Sequence, residues 1–284
     1  MTPTSHFVTG AHDNRLHVLE WSQEGVPMVL LHGHGNEAHL FDDFVPTVAE
    51  HYRVLAVDQR GHGDSDWDAE GRYHADDMAD DLERILEHFE IDRFVLLGFS
   101  MGGRVSTVFA ERHPERLAGL ILVDIGPELD ARGTSRIGQE MAEQRAPVFT
   151  GPGEYARMLS LNYPAGQPAA LDRMARFALK EREDGLFELK MDPALRADRP
   201  NDDEARQAEE AFIQRQWDAL ARVPCPTLVV RGAASDILSP EVADRMVDDV
   251  LQNGTLEVVP QAAHSVATDN PKGFEEAVCR FVLG

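Results

Sequence analysis

The chain has 284 residues, of which 43% are hydrophobic, enough for one large α/β domain or one domain with an insertion. Its formal net charge of −23 at pH 7 argues against nucleic acid or an anionic membrane as a partner, because like charges repel. The first thirty residues lack a basic start followed by an apolar run, and no run reaches the roughly 18 apolar residues of a membrane span, so a cytoplasmic location is expected.

Short β-rich runs alternate with longer segments of helical period, which is typical of a mostly parallel central sheet with helices on both faces. Strands are predicted, in chain order, at 26–31, 53–57, 93–97, 117–123, 227–230 and 255–259. Their near-continuous apolar content indicates burial on both faces of the sheet. The segment 16–21 alternates in character and is expected to form an antiparallel edge strand. Helices are predicted at about 75–89, 104–113, 240–250 and 271–282.

The alternation stops between residues 127 and 222, where no apolar β run occurs and aromatic residues and methionines recur in helix-like, charge-rich surroundings. This pattern predicts an inserted helical cap at 127–222, with the α/β core formed by 1–126 and 223–284. Within the cap, the highly charged stretch 198–210 is either a solvated helix face or a loop.

The sequence Gly98-Phe99-Ser100-Met101-Gly102 follows an apolar run and opens a segment of helical period, so it predicts a strand, a sharp turn and a helix. Such a turn lifts the serine out of the sheet, and flanking glycines leave room for the tight backbone. Ser100 is therefore the candidate nucleophile. The alternative is a turn serine without a chemical role.

A serine hydroxyl needs a base within hydrogen-bond reach and a group that orients the base. Asp236 and His264 each follow a predicted strand, and the carboxyl ends of parallel strands meet at one edge of a sheet. Ser100, His264 and Asp236 are thus predicted to form a catalytic triad. Asp124, at the end of the neighbouring strand, is a second candidate acid. The context from Gly232 to Pro240 favours Asp236, and Asp124 is then expected to bond loop backbone.

The chain resembles the α/β-hydrolase superfamily, in particular its cap-bearing serine hydrolases similar to esterases and lactonases. The resemblance covers most of the chain and rests on five features: 31–35 (LHGHG), 58–65 (DQRGHGDS), 98–103 (GFSMGG), Asp236 and His264. It implies an oxyanion hole formed by the backbone N–H groups of His34 and Met101.

Four further histidines lie in these motifs or beside them. His32 and His62 are expected to satisfy local backbone groups, whereas the side chain of His34 is expected to face the pocket. A metal site of His32, His34 and His39 is the alternative, although their spacing suits a loop better than a shared ligand face. The sequence therefore predicts no metal and no cofactor.

The predicted reaction is hydrolysis of a carboxylic ester, lactone or thioester of a small, partly apolar molecule through an acyl-enzyme. The resemblance leaves open a carbon–carbon bond hydrolase of ring-cleavage products and a cofactor-free perhydrolase or haloperoxidase. A ligand receptor built on a hydrolase scaffold is the alternative from another class. The oligomeric state is not set by the sequence.

Overall fold

The structure is a computed structural model that describes residues 1–143, 147–196 and 202–284, with side chains for all of these except 140–143. Its strands are β1 Thr4–Thr9, β2 Arg15–Glu20, β3 Val26–Leu31, β4 Tyr52–Asp58, β5 Phe94–Phe99, β6 Leu117–Val123, β7 Val148–Phe149, β8 Leu179–Glu181, β9 Phe187–Leu189, β10 Thr227–Gly232 and β11 Gly254–Val259. Its α-helices are α1 Val45–Val48, α2 Ala75–His88, α3 Met101–Arg112, α4 Ala131–Glu143, α5 Pro152–Asn162, α6 Pro168–Phe177, α7 Asp203–Leu220, α8 Pro240–Arg245, α9 Val266–Asp269 and α10 Pro271–Leu283.

The central sheet of the described ranges has eight strands in the order β1-β2-β4-β3-β5-β6-β10-β11. The pairs β1–β2 and β2–β4 are antiparallel, and every later pair is parallel. The fold class predicted from the sequence is confirmed, and the six predicted parallel strands are found with ends that differ by at most two residues.

One prediction about the sheet is wrong. The segment 16–21 forms most of β2, but β2 is not an edge strand, because β1 pairs along its outer side. The sequence of β1 is short, and most of its residues are exposed, so it lacks the apolar run that marked the other strands. The predicted helices are found, although 240–250 is α-helical only to Arg245 and continues as a π-helical turn, Met246–Val250.

The sheet has a hydrophobic core on each face. Val29 and Leu31 of β3 pack into a core with α2, α3 and the end of α7, whereas Met28 and Leu30 pack into a core with α1 and α10. Because successive side chains of a strand point to opposite faces, a strand between two cores must be apolar throughout. This is the physical reason for the continuous apolar runs. No helix in the described ranges is both long and apolar enough to traverse a lipid bilayer.

The segment predicted to form the cap, called the cap below, lies between β6 and β10 in the chain and contains α4 to α7. The sequence predicted a helical cap, but the segment also contains a small antiparallel sheet formed by β7, β9 and β8. These strands have two or three residues each, too few to give a strand period in the sequence. Of the charged stretch 198–210, residues from Asp203 onward belong to α7, and 197–201 lie outside the described residues. Part of the cap packs around a core of its own, which includes Phe149, Tyr155, Leu159, Leu171, Met174 and Leu189.

Candidate active site

Ser100 sits on a sharp turn, since β5 ends one residue before it and α3 begins one residue after it. Its backbone has φ 51° and ψ −114°, a conformation that costs a non-glycine residue energy. The neighbouring glycines are required by close contacts. A Cβ on Gly98 would lie 2.4 Å from the carbonyl oxygen of Gly102, and a Cβ on Gly102 would lie 2.4 Å from that of Leu31. The chain therefore holds Ser100 in a strained position that only small neighbours permit.

His264 lies in the loop after β11, and its side chain reaches the serine. Its Nε2 is 3.0 Å from Ser100 Oγ, which is hydrogen-bond distance. On the other side of the ring, Nδ1 lies 2.8 Å from Oδ2 of Asp124. With Nδ1–H donating to the carboxylate, Nε2 is left as the acceptor for the serine hydroxyl. The three side chains form a continuous hydrogen-bonded chain from carboxylate to hydroxyl.

Asp124 follows β6 directly and is completely buried. The backbone N–H of Gly232 donates to its Oδ1 over 2.9 Å, and the hydroxyl of Ser235 donates to its Oδ2 over 2.5 Å. Ser235 is fixed in turn, because its oxygen accepts hydrogen bonds from the backbone N–H groups of Ile237 and Leu238. Asp124 was expected to bond loop backbone; its backbone donor is instead Gly232, the last residue of β10, and the same carboxylate also bonds the histidine.

The predicted contact between Asp236 and His264 is wrong. Asp236 instead forms two hydrogen bonds with Arg136 of α4, from Nε over 2.7 Å and from Nη2 over 2.9 Å. The Arg136 guanidinium lowers the pKa of the Asp236 carboxyl. The loop after β10 presents Ser235, and not Asp236, to Asp124, the residue that bonds His264. Asp124 at a strand end was the signal in the sequence that pointed to the observed arrangement.

The two residues of the predicted oxyanion hole are Met101, next to Ser100 in the chain, and His34, in the loop after β3. Met101 is the first residue of α3, where backbone N–H groups have no acceptor within the helix. His34 is in the loop after β3, and this loop touches the turn, since a Cβ on Gly33 would lie 3.2 Å from Ser100 Cβ and 2.7 Å from the ring of Phe99. The oxyanion role of these two N–H groups stays a prediction.

A model of the alpha/beta hydrolase fold family matches residues 26–271. The chain belongs to this family. A 3-hydroxybutyrate-oligomer hydrolase of Cupriavidus necator is 30% identical over 271 residues, which cover 92% of this chain and 90% of that protein. An esterase of Mycobacterium tuberculosis is 26% identical over 267 residues, covering 92% and 84%. The solved structure of an E-2-(acetamidomethylene)succinate hydrolase has a TM-score of 0.85 at 24% identity, covers 99% of this chain and all of that one, and shows a likeness of fold.

Two histidines of this α/β hydrolase that precede Ser100 in the sequence, His32 and His62, have mainly local partners. The Nδ1 of His32 bonds the carbonyl of Gly33 over 2.7 Å and its Nε2 accepts the N–H of Gln59, while the Nδ1 of His62 bonds the carbonyl of Arg60. Both expectations of local bonding are confirmed. Burial lowers the pKa of both imidazoles, and that of His62 further, so these rings are neutral at neutral pH.

The three histidines of the metal hypothesis do not share one environment, because His39 has other ring contacts than His32 and His34. The ring of His62 packs against the rings of His32 and His34, at 5.0 and 5.7 Å between centroids. His39 instead stacks on Phe177 at 3.5 Å, and its Nδ1 bonds Asp42. Across the described chain, the potential ligand atoms that do converge are those of His17, Asp58 and Asp64, and there His17 Nδ1 already bonds Asp58 over 2.8 Å.

Contacts of the Asp58 side chain account for several residues of the motif 58–65. Its buried carboxylate accepts the backbone N–H groups of Ala38 and Asp64 as well as the ring of His17. Gly63 has φ 53°, and a Cβ there would lie 2.2 Å from the Asp58 carboxyl. The Asp58 carboxylate thus bonds two loops, and through Ala38 it attaches the segment after the His34 loop to the sheet. Sequence reasoning did not assign this bridging role to Asp58 or His17.

Proposed function

We propose that this protein is a serine hydrolase that cleaves a carboxylic ester, lactone or thioester of a small molecule. The observation that carries the proposal is the chain of contacts from Ser100 Oγ through the His264 ring to the buried Asp124 carboxylate. Nucleophile, base and orienting acid at these distances are the parts that acyl transfer by a serine requires. An esterase among the relatives supports the same class of bond.

In the proposed cycle, His264 Nε2 accepts the proton of Ser100 as Oγ attacks the substrate carbonyl. The resulting oxyanion accepts hydrogen bonds from the backbone N–H groups of His34 and Met101, each worth on the order of 3 kcal/mol of barrier lowering. The imidazolium then donates its proton to the departing alcohol or thiol. Water, deprotonated by the same imidazole, releases the acid from Ser100.

Asp124 takes the role that the sequence assigned to Asp236. Its carboxylate accepts Nδ1–H, which fixes the tautomer of His264 that leaves Nε2 free to act as a base. It also stabilises the imidazolium during the reaction. The donors from Gly232 and Ser235 hold the carboxylate in place, so the acid does not have to reorganise during turnover. No cofactor or metal enters the proposed cycle.

The test is steady-state turnover of p-nitrophenyl esters of graded acyl length, beside a fluorophosphonate label. We expect turnover with an optimum of chain length, labelling at Ser100, and loss of both in Ser100→Ala. Ser160→Ala is the matched control, because Ser160 is an exposed cap serine whose hydroxyl donates only to the carbonyl of Arg157. Turnover that survives Ser100→Ala would contradict the proposal. Labelling of Ser100 with one burst and no steady turnover would instead support a receptor-like protein.

A further inference from the structure

A second hydrogen-bonded chain of serine, histidine and aspartate lies outside the site at Ser100. The hydroxyl oxygen of Ser5 is 2.6 Å from His17 Nε2, and Nδ1 of the same ring is 2.8 Å from Oδ2 of Asp58. With Nδ1–H donating to the carboxylate, Nε2 is left as the acceptor for the Ser5 hydroxyl. These distances are those of an activated nucleophile, in which a base contacts the hydroxyl and a third group orients the base.

Three neighbouring strands bring these side chains together, one residue from each strand. Ser5 is in β1, His17 is in β2, and Asp58 is the last residue of β4. His17 pairs in register with Asp58 on one side and with Phe7 on the other side, two residues from Ser5. Ser5 therefore lies diagonally across from His17, within reach of its side chain. In the order of the sheet, β4 and β3 separate β2 from β5, the strand that leads into Ser100.

The base and its acid are shielded from water, whereas the residue with the hydroxyl is exposed. Only 6% of the His17 side chain and 5% of the Asp58 side chain are accessible, while Ser5 is an exposed residue. Burial alone would raise the pKa of the Asp58 carboxyl, but the hydrogen bonds from His17 and from the N–H of Asp64 outweigh it, and the pKa is lowered. The carboxylate is therefore ionised at neutral pH and can stabilise an imidazolium at His17.

An exposed aromatic side chain adjoins this serine. The ring of Phe7 packs against the ring of His17 at 5.1 Å between centroids, and 49% of Phe7 is exposed. Phe7 is two residues from Ser5 and therefore on the same face of β1. An aromatic group of a small molecule can pack on this ring while its carbonyl lies at the Ser5 hydroxyl. This arrangement favours aryl compounds as reaction partners of Ser5.

We propose that Ser5 is a second nucleophilic serine, which accepts an acyl group from aryl esters. Ser5 Oγ attacks the ester carbonyl carbon while its proton passes to His17 Nε2. The aryl oxide then leaves and takes up that proton, so the products are an acyl ester of Ser5 and a phenol. Because an alkoxide leaves less readily than a phenoxide, the acyl group stays on Ser5 and the site reacts once. This reaction is independent of the cycle proposed at Ser100.

The experiment uses Ser100→Ala, in which acyl transfer through Ser100 is absent, with p-nitrophenyl acetate as the donor. Nitrophenol release is followed, and peptide mass spectrometry locates the acetyl group. Hydroxylamine treatment distinguishes serine esters, which it cleaves, from acetylated amines, which it leaves intact. We expect release of one equivalent without steady turnover, and one acetyl group on Ser5.

The internal control is Ser160, an exposed serine whose hydroxyl donates to the backbone carbonyl of Arg157. Since a positioned general base contributes about a hundredfold or more, Ser5 should be acetylated at least about a hundredfold faster than Ser160 in the same chain. This comparison requires no substitution in the sheet. Equal rates at the two serines would overturn the inference.

Two variants in the Ser100→Ala background separate the nucleophile from its base. Ser5→Ala should abolish the burst of nitrophenol, and His17→Gln should slow acetylation of Ser5 by about a hundredfold, toward the rate of Ser160. Thermal unfolding of both variants is measured alongside, because His17 is buried. A burst that persists in Ser5→Ala, or a folded His17→Gln protein that keeps the Ser5 rate, would show that the hydrogen-bonded chain does not activate this serine.

Discussion

Replacing Asp124 with asparagine removes the charge that faces His264 and keeps the shape of the side chain. The Asp124 carboxylate is fully buried, 12% of the His264 side chain is exposed, and their bonding atoms are 2.8 Å apart. Two unit charges roughly 4 Å apart in such a setting interact by about 4 kcal/mol at an effective dielectric constant of about 20. Because about 1.4 kcal/mol corresponds to tenfold in rate, losing this stabilisation of the imidazolium costs about a thousandfold in kcat. An amide that donates to the ring would favour the wrong tautomer and add to the loss.

The matched variant is Asp236→Asn, which breaks the pair with Arg136. These side chains are 30% and 37% exposed, so the pair contributes at most about 1 kcal/mol to stability. We expect kcat within about threefold of the wild type and a melting temperature lower by no more than about 4 °C. Ester turnover and thermal unfolding are measured for both variants. A folded Asp124→Asn protein with more than a tenth of wild-type kcat, or a hundredfold loss in Asp236→Asn, would refute the assignment of the acid.

Three further predictions concern stability. Ser100→Gly should melt a few degrees above Ser100→Ala, because glycine adopts φ 51° without the strain of about 1–3 kcal/mol; equal melting temperatures would refute stored strain at the turn. Burial raises the pKa of the Glu37 carboxyl well above its usual range, so this group binds its proton more tightly in the folded than in the unfolded state. The free energy of unfolding therefore falls as the pH rises above the pKa of an unfolded glutamate. Glu37→Gln should therefore raise the melting temperature more at pH 8 than at pH 5, and the exposed control Glu50→Gln should not. Arg60→Met leaves the buried carboxylate of Asp81 without its cation, whereas Asp68 keeps its pair with Arg72. It should cost about 3–5 kcal/mol in denaturant unfolding, against at most about 0.5 kcal/mol for the exposed Arg84→Met.

The parts of the site that the sequence predicted are those set by local structure. The turn at Ser100 follows from an apolar strand, two glycines that admit close backbone contacts and a following helix, all within about fifteen residues. The position of His264 could be predicted because it lies in the loop that directly follows the strand β11. The order of parallel strands then brings both residues to one edge of the sheet, so their contact is a property of topology.

The acid could not be decided in this way, because two carboxylates follow neighbouring strands and either strand end reaches the histidine. What decides between them is the direction of the loop after β10, which turns Ser235 inward and Asp236 toward Arg136 of the cap. That direction depends on a contact between residues a hundred positions apart. The outer strand β1 and the cap strands were missed for a different reason, since exposed or very short strands carry no apolar period.

The attachment of α4 to the loop after β10 has a consequence for protein engineering. Besides the Arg136 contact, the N–H of Gly133 donates to the carbonyl of Asp236, and any Cβ at Gly133 would lie 2.3 Å from that oxygen. The cap is therefore not an independently exchangeable module. A chimaera that receives a foreign cap must also receive a glycine and an arginine at these two positions, or exchange residues 233–237 together with the cap. Chimaeras that keep these contacts should preserve the packing of α4 against the loop after β10. Chimaeras whose boundaries lie only at the ends of β6 and β10 should lose it.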